Sequence, residues 1–225
     1  MIRFGLGILL IAFAVSARSE EPVKLGLKSE TVELPDAVAR ELRQELSTDA
    51  FAIRDGDTAL MTFWFRTEIP AKATAEQIRN GLTYHEIPEG TLIGVVKFEK
   101  PFVDFRKQEI PPGTYTLRIA VQPDTGDHKD TAPHTDFLLL CPANEDKTIE
   151  PLELKELVKR SIKSTGGDHP GVMLLFPHFG KEKDVKLVAQ PDGVTCLQLK
   201  RTLKTEGASG SLGFAIAIAG VSKKR

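Results

Sequence analysis

The chain has 225 residues, with 31 acidic against 30 basic side chains, a net charge of −1 and two cysteines. So even a balance gives it no electrostatic pull toward nucleic acid, whose binding rests on clustered Lys and Arg neutralising phosphates. Two cysteines in this length also exclude a small disulfide-stapled scaffold, and the chain is long enough to bury a core without covalent help.

In chain order, Arg3 supplies a positive start and Phe4 to Val15 an apolar run, followed by small residues at Val15-Ser16-Ala17 and Ala17-Arg18-Ser19. That order predicts a cleavable signal peptide over residues 1–19. A bilayer span needs about 20 apolar residues, and Arg18, Glu20 and Glu21 end this run too soon. The only other long apolar stretch, Leu212 to Val221, is shorter still. The expectation is a soluble, secreted or periplasmic protein with no membrane span after cleavage, its residues 20–225 forming one β-sandwich-like domain. The basic end, Lys223-Lys224-Arg225, reads as a solvated tail.

Asp36 to Leu46 spaces Val38, Leu42 and Leu46 four apart and predicts a helix. Arg54-Asp55-Gly56-Asp57 predicts a tight turn before a strand whose inward face is Ala59, Met61, Phe63 and Phe65. Thr74-Ala75-Glu76-Gln77 has the form of a capping box opening a short helix that stops at Asn80-Gly81. Leu92 to Phe98 predicts a strand, and Gly113 to Gln122 a half-buried one, with Tyr115, Leu117, Ile119 and Val121 inward and Thr114, Thr116, Arg118 and Gln122 outward. Phe137 to Cys141 is an apolar strand, and Pro142 to Pro151 a loop within the same domain.

A third helix is expected over Glu150 to about Ser164, with acids early, bases late and Gly166-Gly167 as its stop. Val172 to Phe176, Val185 to Ala189 and Thr195 to Leu203 predict further strands. Leu212 to Val221 is apolar on both faces, large on one and small on the other, which predicts a central strand closely packed on its small face. The fold class expected is therefore mainly β, an antiparallel sandwich decorated by two or three helices.

Lys107 to Leu117 contains Pro112-Gly113-Thr114-Tyr115-Thr116-Leu117. This opening of a strand resembles the Pro-Gly-x-Tyr-x-Leu pattern of transthyretin-like and carboxypeptidase-regulatory-like β-sandwich modules, which implies a fold and no activity. A wider set is similar to a family of exported, uncharacterised proteins of planctomycete-type bacteria. It comprises Phe63-Trp64-Phe65-Arg66, Gly81 to Pro88, Thr125 to His128, Thr131 to His134 and Gly166 to Gly171. That resemblance implies export and a shared fold.

Four histidines sit in two loop-like regions. One runs from Asp124 through Asp127, His128 and Asp130 to His134 and Asp136; the other holds Asp168 and His169, with His178 after the strand. Imidazole and carboxylate ligands suit Zn, Cu or Fe, so His128, His134, His169 and His178, with Asp127 and Asp168, are the candidate metal ligands if the two regions converge. The competing reading is turn chemistry, since Asp, Gly and Pro build loops. Trp64 shares the outer face of its strand with Arg66; the pair is a candidate ligand platform or, alternatively, is packed under a helix. Cys141 and Cys196 are a possible disulfide if export holds, or else two separate thiols.

No motif compels a reaction. The expected role is a non-enzymatic binding or structural module of the cell envelope, serving an envelope or secreted protein partner and needing no cofactor. The alternatives are a metal-binding extracytoplasmic protein and a glycan-directed binder or hydrolase.

Overall fold

A computed structural model describes residues 25–122, 132–180 and 182–221. The expected signal peptide, Asp127, His128 and the basic tail lie outside the described residues.

The elements follow in order: β1 (Leu25–Thr31), α1 (Arg40–Arg43), β2 (Leu46–Asp55), β3 (Thr58–Arg66), β4 (Glu68–Pro70) and α2 (Ala75–Asn80). Then come β5 (Leu92–Phe98), β6 (Phe102–Val103), β7 (Glu109–Ile110), β8 (Gly113–Val121), β9 (Asp136–Pro142) and α3 (Leu154–Thr165). The chain closes with β10 (Val172–Phe176), β11 (Lys186–Ala189), β12 (Thr195–Thr205) and β13 (Ala208–Ala219). Short 3-10 turns cover Tyr84–Glu86 and Pro191–Gly193.

One sheet carries nearly everything, in the order β1-β2-β3-β5-β8-β9-β10-β13-β12-β11, with β4 parallel to β12 and every other pairing antiparallel; β6 and β7 form a separate ribbon. The sheet curls until its two edge strands, β1 and β11, approach each other. Leu25 and Leu27 on one edge and Leu187 on the other lean into a common interior. Each edge thereby partly shields the other, which limits access to the backbone rows that invite aggregation. The β-rich antiparallel architecture with few helices is as the alternation predicts, and the facing layers belong to one continuous sheet.

The interior takes the large side chains that alternation turns inward. Phe63 and Phe65 of β3, Leu117 and Ile119 of β8, Leu138 and Leu140 of β9, and Phe214 and Ile216 of β13 are all fully or almost fully buried there. Each contributes about 1.5–3 kcal/mol relative to exposure. Tyr115, first of the inward face of β8, is buried and donates its hydroxyl to the Pro111 carbonyl at 2.9 Å, which ties the strand to the prolines before it. On β13 the small face carries Ala215 and Ala217 into a second cluster with Leu139, Cys141, Leu157 and Leu174, so α3 lies close over the sheet.

Two sequence expectations are corrected in extent. The helix expected over Asp36 to Leu46 is one turn, Arg40–Arg43, and Leu46 already belongs to β2, paired with Arg66. The segment descends by short turns, Val38 N–H to Pro35 O, Leu42 N–H to Ala39 O and Glu45 N–H to Leu42 O. Arg43 holds them by donating from Nε to the Val38 carbonyl at 3.0 Å. The four-residue spacing still points the correct side chains inward, since Val38, Leu42 and Leu46 share one buried cluster. The third helix starts later than expected, at Leu154, and ends with Gly166 in the left-handed region at φ 65°, as the double glycine predicts.

The outward face of β8 is the larger surprise. Thr116 and Arg118 are completely buried, because the chain from Ala143 to Glu153 crosses this face and covers it.

Candidate functional site

Beside α3 the outer face of the sheet is not fully covered. Leu157 of the helix stripe is buried, whereas Leu154 and Val158 are half-exposed and overhang Ala120, Phe137, Leu139 and Val172. The result is an open cleft of about 280 Å³ with an apolar floor, close to the lower limit of small-ligand sites, roughly 300 Å³. Its mouth carries Arg106, Gln122, Asp168, His169 and Pro170.

The mouth is held by one buried acid. Asp104 is fully buried and accepts from the backbone N–H groups of Arg106 at 2.9 Å, Gln108 at 2.8 Å and Val172 at 3.2 Å, and from Gln108 Nε2 at 2.8 Å. Gln108 Nε2 also donates to the Pro170 carbonyl at 2.9 Å. Asp104 thus binds the turn bearing Arg106 to the start of β10 and the segment bearing Asp168 and His169. Burial pushes its carboxyl above the ordinary range against the pull of these hydrogen bonds. From the other side, Ser161 Oγ donates to the Gly171 carbonyl at 3.1 Å and fixes α3 over the same segment.

A second, smaller cleft lies by the end of β10. Tyr84, buried, donates its hydroxyl to the Phe176 carbonyl at 2.8 Å and accepts from the Ala215 N–H at 3.2 Å, clamping β10 against β13. Around it stand His85, Asp136 and His178. His85 Nε2 is 3.7 Å from Asp136 Oδ1, too far for a hydrogen bond, and that oxygen is buried with no hydrogen-bond partner among the described residues. His134 packs edge-on against Phe176, ring centres 4.7 Å apart. The ring of His178 lies on Gly213, where an added methyl would stand 2.4 Å from it.

Burial holds the imidazoles of His134 and His178 below their ordinary pKa, and Asp136 partly opposes this at His134. Burial likewise pushes the Asp136 carboxyl up. A histidine depressed in the native state binds fewer protons than the unfolded chain near pH 6.5 and just below. Stability contributed by these two rings is therefore present above about pH 6.5 and is lost as the pH falls toward their folded values. The thermal midpoint is expected to drop between pH 7.5 and 5.5, and a His134→Gln/His178→Gln double variant to flatten that drop. An unchanged slope in the variant would show that other groups carry it.

The candidate metal ligands are divided by this geometry. His134 and His178 fall by the smaller cleft, while Asp168 and His169 border the α3 cleft before β10 begins. The strand β10 lies between His169 and His178, and its four steps alone rise roughly 13 Å at about 3.3 Å each. Among the described residues no group of three or more His, Cys, Asp or Glu is placed to hold a metal ion. The fifth histidine, His85, meets Asp136 across 51 residues of sequence, and no local pattern signals that meeting.

Trp64 and Arg66 are not an open platform. Trp64 is 2% exposed under Leu34, Val38 and Leu42, and its Nε1 donates to the Val32 carbonyl at 2.9 Å. Arg66 is 9% exposed and pairs through Nη2 with Glu45 at 3.2 Å. The covering segment removes the face that alternation assigns to solvent, leaving the indole no surface for a ligand.

Cys141 and Cys196 are free, buried thiols, so the possible disulfide is not formed. They sit on β9 and β12, with β10 and β13 between; three strand steps are roughly 14 Å along the sheet, against about 7 Å at most between the Cα atoms of a disulfide. Burial pushes both thiols up to about 12. Iodoacetamide is therefore expected to leave both unmodified in the native protein and to label both in denaturant, and a reductant to leave the thermal midpoint unchanged. Rapid native labelling of either would contradict its burial.

Among the described residues no helix is long and apolar enough to cross a membrane. No protein-family model matches the chain, and no curated protein or solved structure matches it at a significant level. The class is accordingly defined by the molecule itself: a curled antiparallel sheet with an apolar cleft between its outer face and one helix.

Proposed function

We propose that the protein is an exported, non-enzymatic binding module that takes a small, largely apolar ligand in the α3 cleft. The observation that carries this reading is the pair Leu154 and Val158. They lie on the stripe of α3 that faces the sheet, yet they remain half-exposed over an apolar floor while Leu157 beside them is sealed. A helix that only stabilised the sheet would gain by closing that gap, at about 25 cal/mol for each Å² of apolar surface removed from water. Export rests on the sequence of residues 1–19.

The nucleophiles near the cleft are engaged in structure. Ser161 and Ser164 donate to the Gly171 and Ser161 carbonyls, and the Cys141 thiol is buried. Binding needs only the shape and the charged mouth that are present.

Titration with 1-anilinonaphthalene-8-sulfonate, a fluorescent probe with an apolar body, tests the site. One equivalent is expected to bind the native protein with enhanced emission, and Val158→Asp to abolish the signal while circular dichroism stays native. Equal binding by Val158→Asp would place the probe elsewhere and end the reading.

A further inference from the structure

We infer that the ligand of the α3 cleft is a free α-amino acid with an apolar side chain, an inference that rests on the cleft being a ligand site. Arg106 and Asp168 stand at its mouth, both exposed. The Asp168 carboxylate and the Arg106 guanidinium make no ion pair or side-chain hydrogen bond with any described residue, including each other. Both are nevertheless carried by segments that Asp104 and Gln108 fix to β10. One cation and one anion, neither with a partner among the described residues, beside an apolar hollow complement a ligand with a carboxylate and an ammonium next to an apolar body.

Other ligand classes use less of this arrangement. A fatty acid would satisfy Arg106 and bring its carboxylate toward Asp168, and like charges brought together cost affinity. A neutral hydrophobe would engage neither charge, and an internal peptide segment carries neither terminus. The volume of about 280 Å³ suits a side chain such as that of leucine or phenylalanine.

Guanidinium–carboxylate contact is charge-assisted and bidentate, and it supplies orientation as well as affinity. The roles are thus assigned: Arg106 takes the carboxylate, Asp168 the ammonium, and Phe137, Leu139 and Val158 the side chain.

Calorimetric titration of the full chain with L-leucine, 4-methylpentanoate (leucine without its ammonium) and isopentylamine (leucine without its carboxylate) tests the assignment. L-Leucine is expected to bind one equivalent, and each truncated compound at least tenfold more weakly. Arg106→Gln should weaken L-leucine and 4-methylpentanoate at least tenfold and leave isopentylamine no weaker; Asp168→Asn should weaken L-leucine and isopentylamine at least tenfold and leave 4-methylpentanoate no weaker. Both positions are exposed, and circular dichroism checks that the variants remain folded. Equal affinity for 4-methylpentanoate and L-leucine would overturn the inference. So would no binding of L-leucine or L-phenylalanine while the naphthalene probe still occupies the cleft, which would leave the site standing. Loss of probe binding as well would bring down the site itself.

Discussion

Replacing Arg118 by alanine is expected to cost about 3–5 kcal/mol of folding stability, the range for removing one partner of a buried ion pair. The guanidinium is completely buried on the outer face of β8, and all five of its N–H groups are used. Nε and Nη2 bind the two oxygens of buried Asp146 at 2.6 and 2.9 Å. Nη1 donates to the Gly90 and Glu150 carbonyls at 2.6 and 3.0 Å, and Nη2 also donates to the Thr148 carbonyl. Alanine would remove the donors to the Glu150 and Thr148 carbonyls, leave Gly90 O with the Leu152 N–H alone, and leave buried Asp146 with only the Thr116 hydroxyl and Arg160 at 3.3 Å. Because β8 is central, and the chain that covers it leads directly into α3, the loss extends to the wall of the cleft. Urea unfolding measures the effect, and a change below about 1 kcal/mol would place the pair in the weak class of exposed ion pairs. Arg118→Met combined with Asp146→Leu should recover part of the loss, since neither charge is then buried alone.

Gly90→Ala is expected to be the next most damaging change. Gly90 has φ 80°, a region costly for any residue with a Cβ, and the added methyl would stand 1.9 Å from the Leu152 carbonyl oxygen and 2.6 Å from the Leu152 nitrogen. Those atoms are backbone and cannot swing away. Gly90 also accepts from the Leu152 N–H at 3.2 Å and donates to the Ile119 carbonyl at 2.8 Å, so it joins β8 to the chain that covers it. The left-handed penalty of about 1–2 kcal/mol and an overpacking cost of about 1–3 kcal/mol together give about 2–5 kcal/mol. At an open site with an ordinary negative φ the same substitution would stabilise by up to about 1 kcal/mol. A neutral or positive result in thermal unfolding would therefore deny both the left-handed φ of Gly90 and its close approach to Leu152.

These two sites also show where reading the sequence reaches its limit. Period two predicts most residues of β3, β8 and β13 that face the interior, and Phe63, Leu117 and Phe214 are buried there, although Val121, placed inward at the end of β8, is exposed. It says nothing of what covers the opposite face: Trp64 lies under the segment bearing Val38 and Leu42, the alternative to an open platform, while Arg118, assigned outward by alternation, is sealed by chain that reads as a loop. Strand β2 escapes notice because alanines at 50 and 52 and two register shifts blur its alternation. Strand β1 has no fully buried residue to mark a pattern. Caps are local and read well, as the Thr74 capping box and Gly166 show. Of the site, the α3 stripe is legible and so are Asp168 and His169 as loop residues; their place at one mouth with Arg106 is not, because it depends on the Asp104 cluster, which joins the turn of Arg106 to the start of β10.

The central claim is that the gap under α3 is the binding surface. Methyl-labelled protein titrated with 1-anilinonaphthalene-8-sulfonate tests it by nuclear magnetic resonance. The account predicts saturating shifts confined to the methyls of Leu139, Leu154, Val158 and Val172, with those of Leu117, Leu138 and Leu175 in the sheet interior still. Shifts centred on the interior methyls, or on Leu82 and Leu212 at the smaller cleft, would contradict it.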